Sequence, residues 1–381
     1  MKVLHVTGLM NRGGAEVLIM DFLRYKTNDI QFDFLIHQTK LNDIQKGDFD
    51  NEILLNGCNI FNINTLWSLG FRSYVNQLIK IFEQSRPDCI HIHMNGKSGV
   101  IAYAAHKFGI KTIIIHSHAN IKYRGNLLYR LLANTEFKFQ KYLIDKYATE
   151  FWGCSLEACE SLFYKRRKKQ FKVISNSIDV DKYLEVDKDQ INKFRSSLNL
   201  PDNAIILGNV GRIVTHKNID FIIDLLAVLL EKNPNYYFVY AGREVDTDYH
   251  QLVKDKINNY GLNNHVKYLG LRDDIEIFMN SIDIFISPAL QEGFGLVAVE
   301  AQAADKPTLI YTGFPKIVDM DLGHVNFLDQ LDEKIWVEKI MNLEFKNLDK
   351  QIIKSRIIEL GFDSKHNGLD LSKIYKKLYE N

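Results

Sequence analysis

Short apolar runs alternate with stretches of helical period along the chain. Residues 2–8 form a β-rich run, after which Ala15, Leu18, Ile19, Phe22 and Leu23 fall at i, i+3, i+4, i+7 and i+8, one apolar face of a helix. Further runs at 32–37, 89–93 and 112–116 are separated by helix-like stretches such as 74–84 and 100–108. Strands alternating with helices predict right-handed βαβ units and a parallel sheet. The pattern then restarts. Residues 172–174 predict a short strand, Asn176-Ser177-Ile178-Asp179 a polar turn, and 181–203 a connecting segment that carries a helix. Residues 204–210 open a second series, with strands at 237–241, 266–269, 284–287 and 308–311. The expected division is an α/β domain over 1–175 and a second over 176–364. Two open sheets in one chain imply a cleft between them.

Composition adds exclusions. At 381 residues, 46% hydrophobic and 25% charged, the chain is of ordinary globular type, so disorder and a disulfide-stapled mini-domain are excluded. The 48 Lys+Arg balance 47 Asp+Glu, so no global field recruits nucleic acid or an anionic membrane, and any such attraction must be local. Gly8 and Arg12 interrupt the N-terminal run before it reaches signal-peptide length. The most apolar helical stretch, 221–230, holds Asp224 and is about half the ~20 residues a membrane span needs. These readings predict a cytosolic protein. Cys58, Cys89, Cys154 and Cys159 form no CxxC pair and lack metal-ligand spacing, which predicts buried free thiols.

Open parallel sheets bind ligands beyond the carboxyl ends of their strands, which directs attention to three segments. After the first strand, Gly13-Gly14 precede a helix, where free N–H groups and the helix dipole favour an anion; the same glycines equally suit a tight turn that binds nothing. Neither a G-x-G-x-x-G nor a P-loop pattern is present there. After 284–287, Glu292 lies just before a helix expected to begin near Phe294 or Gly295, and Glu300 lies one to two turns inside it. A diphosphate over that helix start would leave a sugar near Glu292 and ribose hydroxyls near Glu300, each carboxylate accepting from a diol. Spacing alone favours the plainer alternative, in which Glu300 is a surface helix residue and Glu292 a partner of the helix N-terminal dipole. Arg212 and Lys217 flank a loop before the apolar helix from Ile219, where they would neutralise a departing diphosphate without a metal, or be two solvated loop charges.

Taken in order, these motifs resemble glycosyltransferase family 4, in the style of bacterial capsule and exopolysaccharide transferases. The resemblance spans the whole chain. It runs from Val3-Leu4-His5-Val6 and Gly13-Gly14-Ala15-Glu16 through Arg86-Pro87-Asp88-Cys89-Ile90-His91-Ile92-His93 and His116-Ser117-His118. It continues through Val173-Ile174-Ser175-Asn176-Ser177-Ile178-Asp179, Val210-Gly211-Arg212, Lys217 and Val266-Lys267-Tyr268-Leu269-Gly270, and ends in the Glu292/Glu300 E-x7-E element. It implies the GT-B architecture, two Rossmann-like doubly wound parallel-sheet domains facing across a cleft, with residues 365–381 as a helix crossing back to the N-terminal domain. Leu369, Leu371, Ile374, Tyr375 and Leu378 have the apolar spacing of that helix.

The implied function is retaining, metal-independent transfer of a sugar from a nucleotide sugar, expected to be a UDP-sugar, to a polyprenyl-diphosphate-linked saccharide. By resemblance Glu292 binds sugar hydroxyls, Glu300 the ribose, Arg212 and Lys217 the diphosphate, and the backbone of Phe294, Gly295, Leu296 and Val297 assists. Gly13 and Gly14 approach the donor, and His118 stands beside the reacting sugar, although it also suits a hydrogen-bonded structural role, as do His91, His93 and His116. Two departures, Ser177 in place of a glycine and Gly242-Arg243-Glu244 in place of Gly-x-Gly, affect local loop shape.

Two rivals share the architecture: a nucleotide-sugar epimerase, and a silent partner subunit that would have lost some of Glu292, Glu300, Arg212, Lys217 or His118. All five are present. Five D-x-D triplets occur, and only Asp246/Asp248 follows a strand closely enough to suggest a metal; no required metal is predicted. Lys165, Arg166, Arg167, Lys168 and Lys169 form the local basic cluster. It reads as a solvated loop or as a docking patch for anionic lipid at the inner face of the cell membrane.

Overall fold

The computed structural model describes residues 1–39, 44–118 and 127–380. They form two compact units, Met1–Ser177 together with Ser364–Asn381, and Ile178–Asp363. The chain divides at 177/178 and 363/364, where the sequence pattern placed 175/176 and 364/365.

The first unit is built on a parallel sheet of seven strands: β1 (Lys2–Thr7), β2 (Gln31–Gln38), β3 (Ile60–Asn64), β4 (Cys89–Ile92), β5 (Thr112–Ser117), β6 (Glu150–Gly153) and β7 (Phe171–Val173). Their order is β3-β2-β1-β4-β5-β6-β7, so the winding reverses between β1 and β4. Side chains alternate across a strand, and the two faces bury different sets. Leu4, Val6, Ile90, Ile92, Ile113 and Ile115 face one core, which includes residues of helices Phe71–Ser85 and Gly99–Phe108. Val3, Cys89, Ile114 and Trp152 face the other, with helices Gly14–Tyr25 and Ser364–Glu380.

The C-terminal helix crosses the first helix closely. A Cβ at Gly368 would lie 2.6 Å from the Tyr25 Cβ, and Ser364 Oγ donates to Asp21 Oδ2 at 2.6 Å. Its Tyr375 is fully buried against Phe32 and Trp152. Tyr375→Ala is expected to cost about 3–5 kcal/mol, the usual range for deleting a buried aromatic. Urea denaturation should show an earlier transition for this unit, and an unchanged midpoint would contradict the packing described here.

The second unit has six parallel strands: β8 (Ile205–Val210), β9 (Tyr236–Ala241), β10 (Val266–Tyr268), β11 (Ile284–Ser287), β12 (Thr308–Tyr311) and β13 (Val325–Leu328). Their order, β10-β9-β8-β11-β12-β13, reverses between β8 and β11. Helix Ile219–Lys232 buries an almost continuous apolar surface, Ile219, Phe221, Ile222, Ile223, Leu225, Leu226 and Leu229, on one side of the sheet. The four cysteines are free and buried.

Candidate active site

Ligands of open α/β sheets bind where the winding reverses, because the loops leaving the two adjacent strands there diverge and open a crevice. In the second unit those strands are β8 and β11. The loop after β8 carries Arg212 and Lys217, and the loop after β11 carries Glu292, so the strand order brings together residues 75 positions apart. Lys217 Nζ donates to Glu292 Oε1 in an ion pair whose side chains are only 12% and 13% exposed.

Backbone bonds clamp the two loops. Leu290 N donates to His216 O at 2.9 Å, and Glu292 N to Gly313 O at 3.0 Å. Asn218, at φ 57°, occupies the left-handed conformation that turns the chain into helix Ile219–Lys232. The Lys217 side chain lies over Gly211, where a Cβ would meet Cε and Nζ at 3.3 Å. Arg212 follows Gly211 in the same loop and is exposed.

The helix after Glu292 spans Leu296–Ala303 and begins after the region expected from the sequence. Gly295 is its N-cap at φ 85°, and a Cβ there would lie 2.4 Å from the Phe314 ring, so glycine is required for both conformation and space. Phe294 is buried against Phe362, so its side chain faces the core. Leu296 and Val297 open the helix, and Glu300 follows one turn further on, partly exposed.

The D-x-D triplets have other duties. Asp246 caps helix Thr247–Asn259 by accepting from Tyr249 N at 3.0 Å, and Asp187 closes a capping box on Lys188–Ser197. Asp181 pairs with Lys354. Gly242, the glycine that the Gly242-Arg243-Glu244 segment retains, is also structural: a Cβ there would overlap Gly211 O, so this glycine lets the loops after β8 and β9 touch.

In the first unit the winding reverses between β1 and β4, and the segment 8–14 leaves β1 there. Helix Gly14–Tyr25 starts at Gly14 with Gly13 as an extended N-cap. Glu16 folds back to within 2.4 Å of a Cβ placed on Gly13, and Asn176 Nδ2 lies 3.4 Å from one on Gly14. Asn176 Oδ1 and Ser177 Oγ are buried without a hydrogen-bond partner among the described residues. In the sequence Asn176 reads as a turn residue within a segment of the family resemblance, and nothing local shows that it returns to the start of the first helix.

The same sheet region holds a histidine stack that the sequence reading left unconnected. His5, His91 and His116 lie in β1, β4 and β5, His5 opposite His91, with His93 and His118 just past their strand ends. Period-two alternation puts all five on the face of Val3, Cys89 and Ile114. His118 Nε2 meets His93 Nδ1 at 2.8 Å, and His93 Nε2 meets His5 Nδ1 at 3.0 Å. A second chain joins His116 Nδ1 to His91 Nε2 at 3.2 Å and His91 Nδ1 to the Tyr375 hydroxyl at 2.6 Å. The backbone N–H of His118 is fixed by Asn95 Oδ1 at 2.7 Å. Burial holds His5 and His118 down to about 3, and holds His91, His93 and His116 well below the usual imidazole value, with neighbouring histidines adding to the effect. All five are therefore neutral at pH 7.

Ring nitrogens of His5, His91 and His93, and of His93, His116 and His118, lie within 4.8 Å of one another, close enough to raise the question of a metal. Neither group includes a carboxylate or thiolate, so a dication would enter this buried core uncompensated.

Of the basic run, Arg166 and Arg167 are held by Asp145 and Lys168 by Glu160, while Lys165 and Lys169 are exposed.

Residues 190–352 match the family model described as glycosyl transferases group 1. Along its length the chain is 28% identical over 384 residues to the putative glycosyltransferase EpsF of Bacillus subtilis, covering 98% of this chain and 96% of the relative. It is 24% identical over 298 residues to the Escherichia coli UDP-Gal:alpha-D-GlcNAc-diphosphoundecaprenol alpha-1,3-galactosyltransferase, covering 72% and 73% of the two chains. Anabaena Alr3699/HepE, crystallised with UDP and glucose, superposes with a TM-score of 0.78 over 99% of this chain and all of that one, at 20% identity. That likeness establishes the fold, GT-B.

Proposed function

We propose that this chain is a glycosyltransferase of bacterial surface polysaccharide assembly. It moves a sugar from a UDP-sugar to a lipid-linked saccharide, with retention of anomeric configuration and without a metal ion. The observation that carries the reading is the Lys217–Glu292 pair at the β8/β11 reversal, inside the segment that matches glycosyl transferases group 1. A cation and a sugar-binding carboxylate held in contact suit a ligand with phosphate next to a polyol. When the diphosphate arrives, Lys217 exchanges the carboxylate for phosphate oxygens, and Glu292 is released to accept from sugar hydroxyls. Arg212 adds a second charge, the backbone of residues 294–297 donates to the diphosphate, and Glu300 takes the ribose. Gly13, Gly14 and His118 take the donor's phosphate and sugar.

The UDP assignment is supported by the ligand of HepE, and the acceptor class by the name of the galactosyltransferase. In the transfer step the acceptor oxygen bonds to the anomeric carbon on the face from which the phosphate leaves. The acceptor's hydroxyl proton passes to a departing phosphate oxygen. Lys217 and Arg212 stabilise the charge that develops on the diphosphate. A polyprenyl-linked acceptor places the work at a membrane surface. No helix among the described residues is long and apolar enough to cross one. Lys165 and Lys169 of the basic run, both exposed, supply basic contacts for peripheral docking.

A thermal-shift screen against UDP-, GDP- and ADP-sugars tests the donor, and UDP-sugars are expected to raise the melting temperature most. Transfer should persist in EDTA at its untreated rate, and its loss would refute metal independence. Conversion of the donor sugar with no acceptor present would identify an epimerase instead. Trapping a covalent glycosyl-enzyme would overturn the front-face step.

A further inference from the structure

We propose that His93 and His5 are positioning residues that fix the tautomer of His118, so that His118 offers an N–H donor, not a lone pair, from its free Nδ1. This rests on the reading above only in giving His118 a sugar hydroxyl to contact. The tautomer itself follows from the hydrogen-bond chain.

The chain His118–His93–His5 consists of neutral imidazoles, each with one N–H and one lone pair. His118 Nε2 faces His93 Nδ1, and His93 Nε2 faces His5 Nδ1, so the three rings share a single direction of donation. The terminal atoms, His118 Nδ1 and His5 Nε2, are buried and have no hydrogen-bond partner among the described residues. Only two arrangements are consistent. If donation runs from His118 inward, His5 is left with an N–H at Nε2. If it runs outward, His5 Nδ1 donates to His93 Nε2, His93 Nδ1 donates to His118 Nε2, and His118 carries its proton on Nδ1.

The inner end decides between them. His5 packs against Phe32 and Phe34 with ring centroids 4.3 and 5.7 Å away, a wall whose π faces are weak acceptors at best. An orphaned N–H in such a wall is rarer and costlier than an orphaned lone pair. Either direction leaves one N–H unpartnered in the unliganded protein, but His5 is fully enclosed, whereas His118 is partly exposed just past the end of β5, where a hydroxyl oxygen can accept it; donation therefore runs outward. Asn95, by holding the His118 backbone, keeps the ring in register with His93. The second chain, through His116 and His91 to Tyr375, is separate from this one in its hydrogen bonds, although its rings stack on the first.

The test uses full-length protein labelled with 15N at histidine. Two-bond proton–nitrogen correlation at pH 7 identifies which nitrogen of each ring is protonated, with His118 assigned by loss of its signals in His118→Gln. The expected result is His118 protonated at Nδ1, and His93→Phe moving His118 toward the Nε2–H form or a mixture. A merely structural His93 would leave that pattern unchanged. Wild-type His118 protonated at Nε2, or unmoved by His93→Phe, overturns the proposal, and the wild-type spectrum decides even if the variant fails to fold. Stoichiometric Zn2+ binding that collapses the His5, His93 and His118 signals together also overturns it, in favour of a metal centre. None of these outcomes bears on sugar transfer. Correct tautomers in a protein that no UDP-sugar stabilises would refute the functional reading and leave the relay standing.

Discussion

Replacing Glu292 with alanine is expected to lower kcat/KM for sugar transfer by about 10²–10³-fold, the range found when one preorganised contact to a transition state is removed. The carboxylate stands at the β8/β11 reversal with Lys217 as its partner and is only 13% exposed, so its hydrogen bonds to sugar hydroxyls would form in a site largely shielded from water. The variant should still bind UDP, and no more weakly than wild type, because Lys217 no longer has a carboxylate competing with phosphate. Lys217→Ala should do the reverse and weaken UDP itself. Calorimetry with UDP alongside initial rates separates the two. Transfer by Glu292→Ala at the wild-type rate would falsify the site assignment. Parallel losses of UDP binding and rate would show instead that Glu292 only shapes the loop.

Acidification from pH 7 to pH 5 is expected to unfold the first unit while the second persists. Burial depresses His5 and His118 to about 3 and His37 to about 4, and holds His91, His93 and His116 well below 6.5, the value each regains on unfolding. Between those limits the unfolded chain binds protons that the folded unit refuses, so stability is complete above about pH 6.5 and falls as pH drops toward the folded values. All six groups act in the same direction, so their effects reinforce one another as the pH falls below 6.5. Melting curves from pH 7 to 5 should show one transition moving down steeply. Parallel movement of both transitions, or none, would contradict neutral burial of the stack.

Much of this was legible in the chain. The apolar runs forecast ten of the strands to within about two residues, and the motifs after β1, β8 and β11 marked the segments that carry candidate chemistry. Three strands escaped notice: Asn62 interrupts the apolar run of β3, Glu150 and Gly153 bound only two apolar residues in β6, and β13 is only partly buried along its length. The helix after Glu292 begins at Leu296, later than expected, because Gly295 takes a left-handed cap whose need arises from the Phe314 ring, distant in sequence. Asp246 looked like half of a metal motif and proved to be a helix cap, since D-x-D spacing and an N-cap aspartate are identical until the following helix is seen.

The sequence by itself determined which residue types stand at the ends of which strands, because hydrophobic period and turn chemistry are local properties. The tertiary structure alone decided which of those ends are neighbours. Strand order is fixed by how the helices between strands pack, and it is this order that sets Lys217 against Glu292 and brings five histidines from three strands into one ring stack joined by two hydrogen-bonded chains. Each histidine reads alone as an ordinary polar residue on an apolar strand. Only their adjacency in a core without counter-charge makes them neutral, joins them into chains, and gives the outermost ring a defined tautomer.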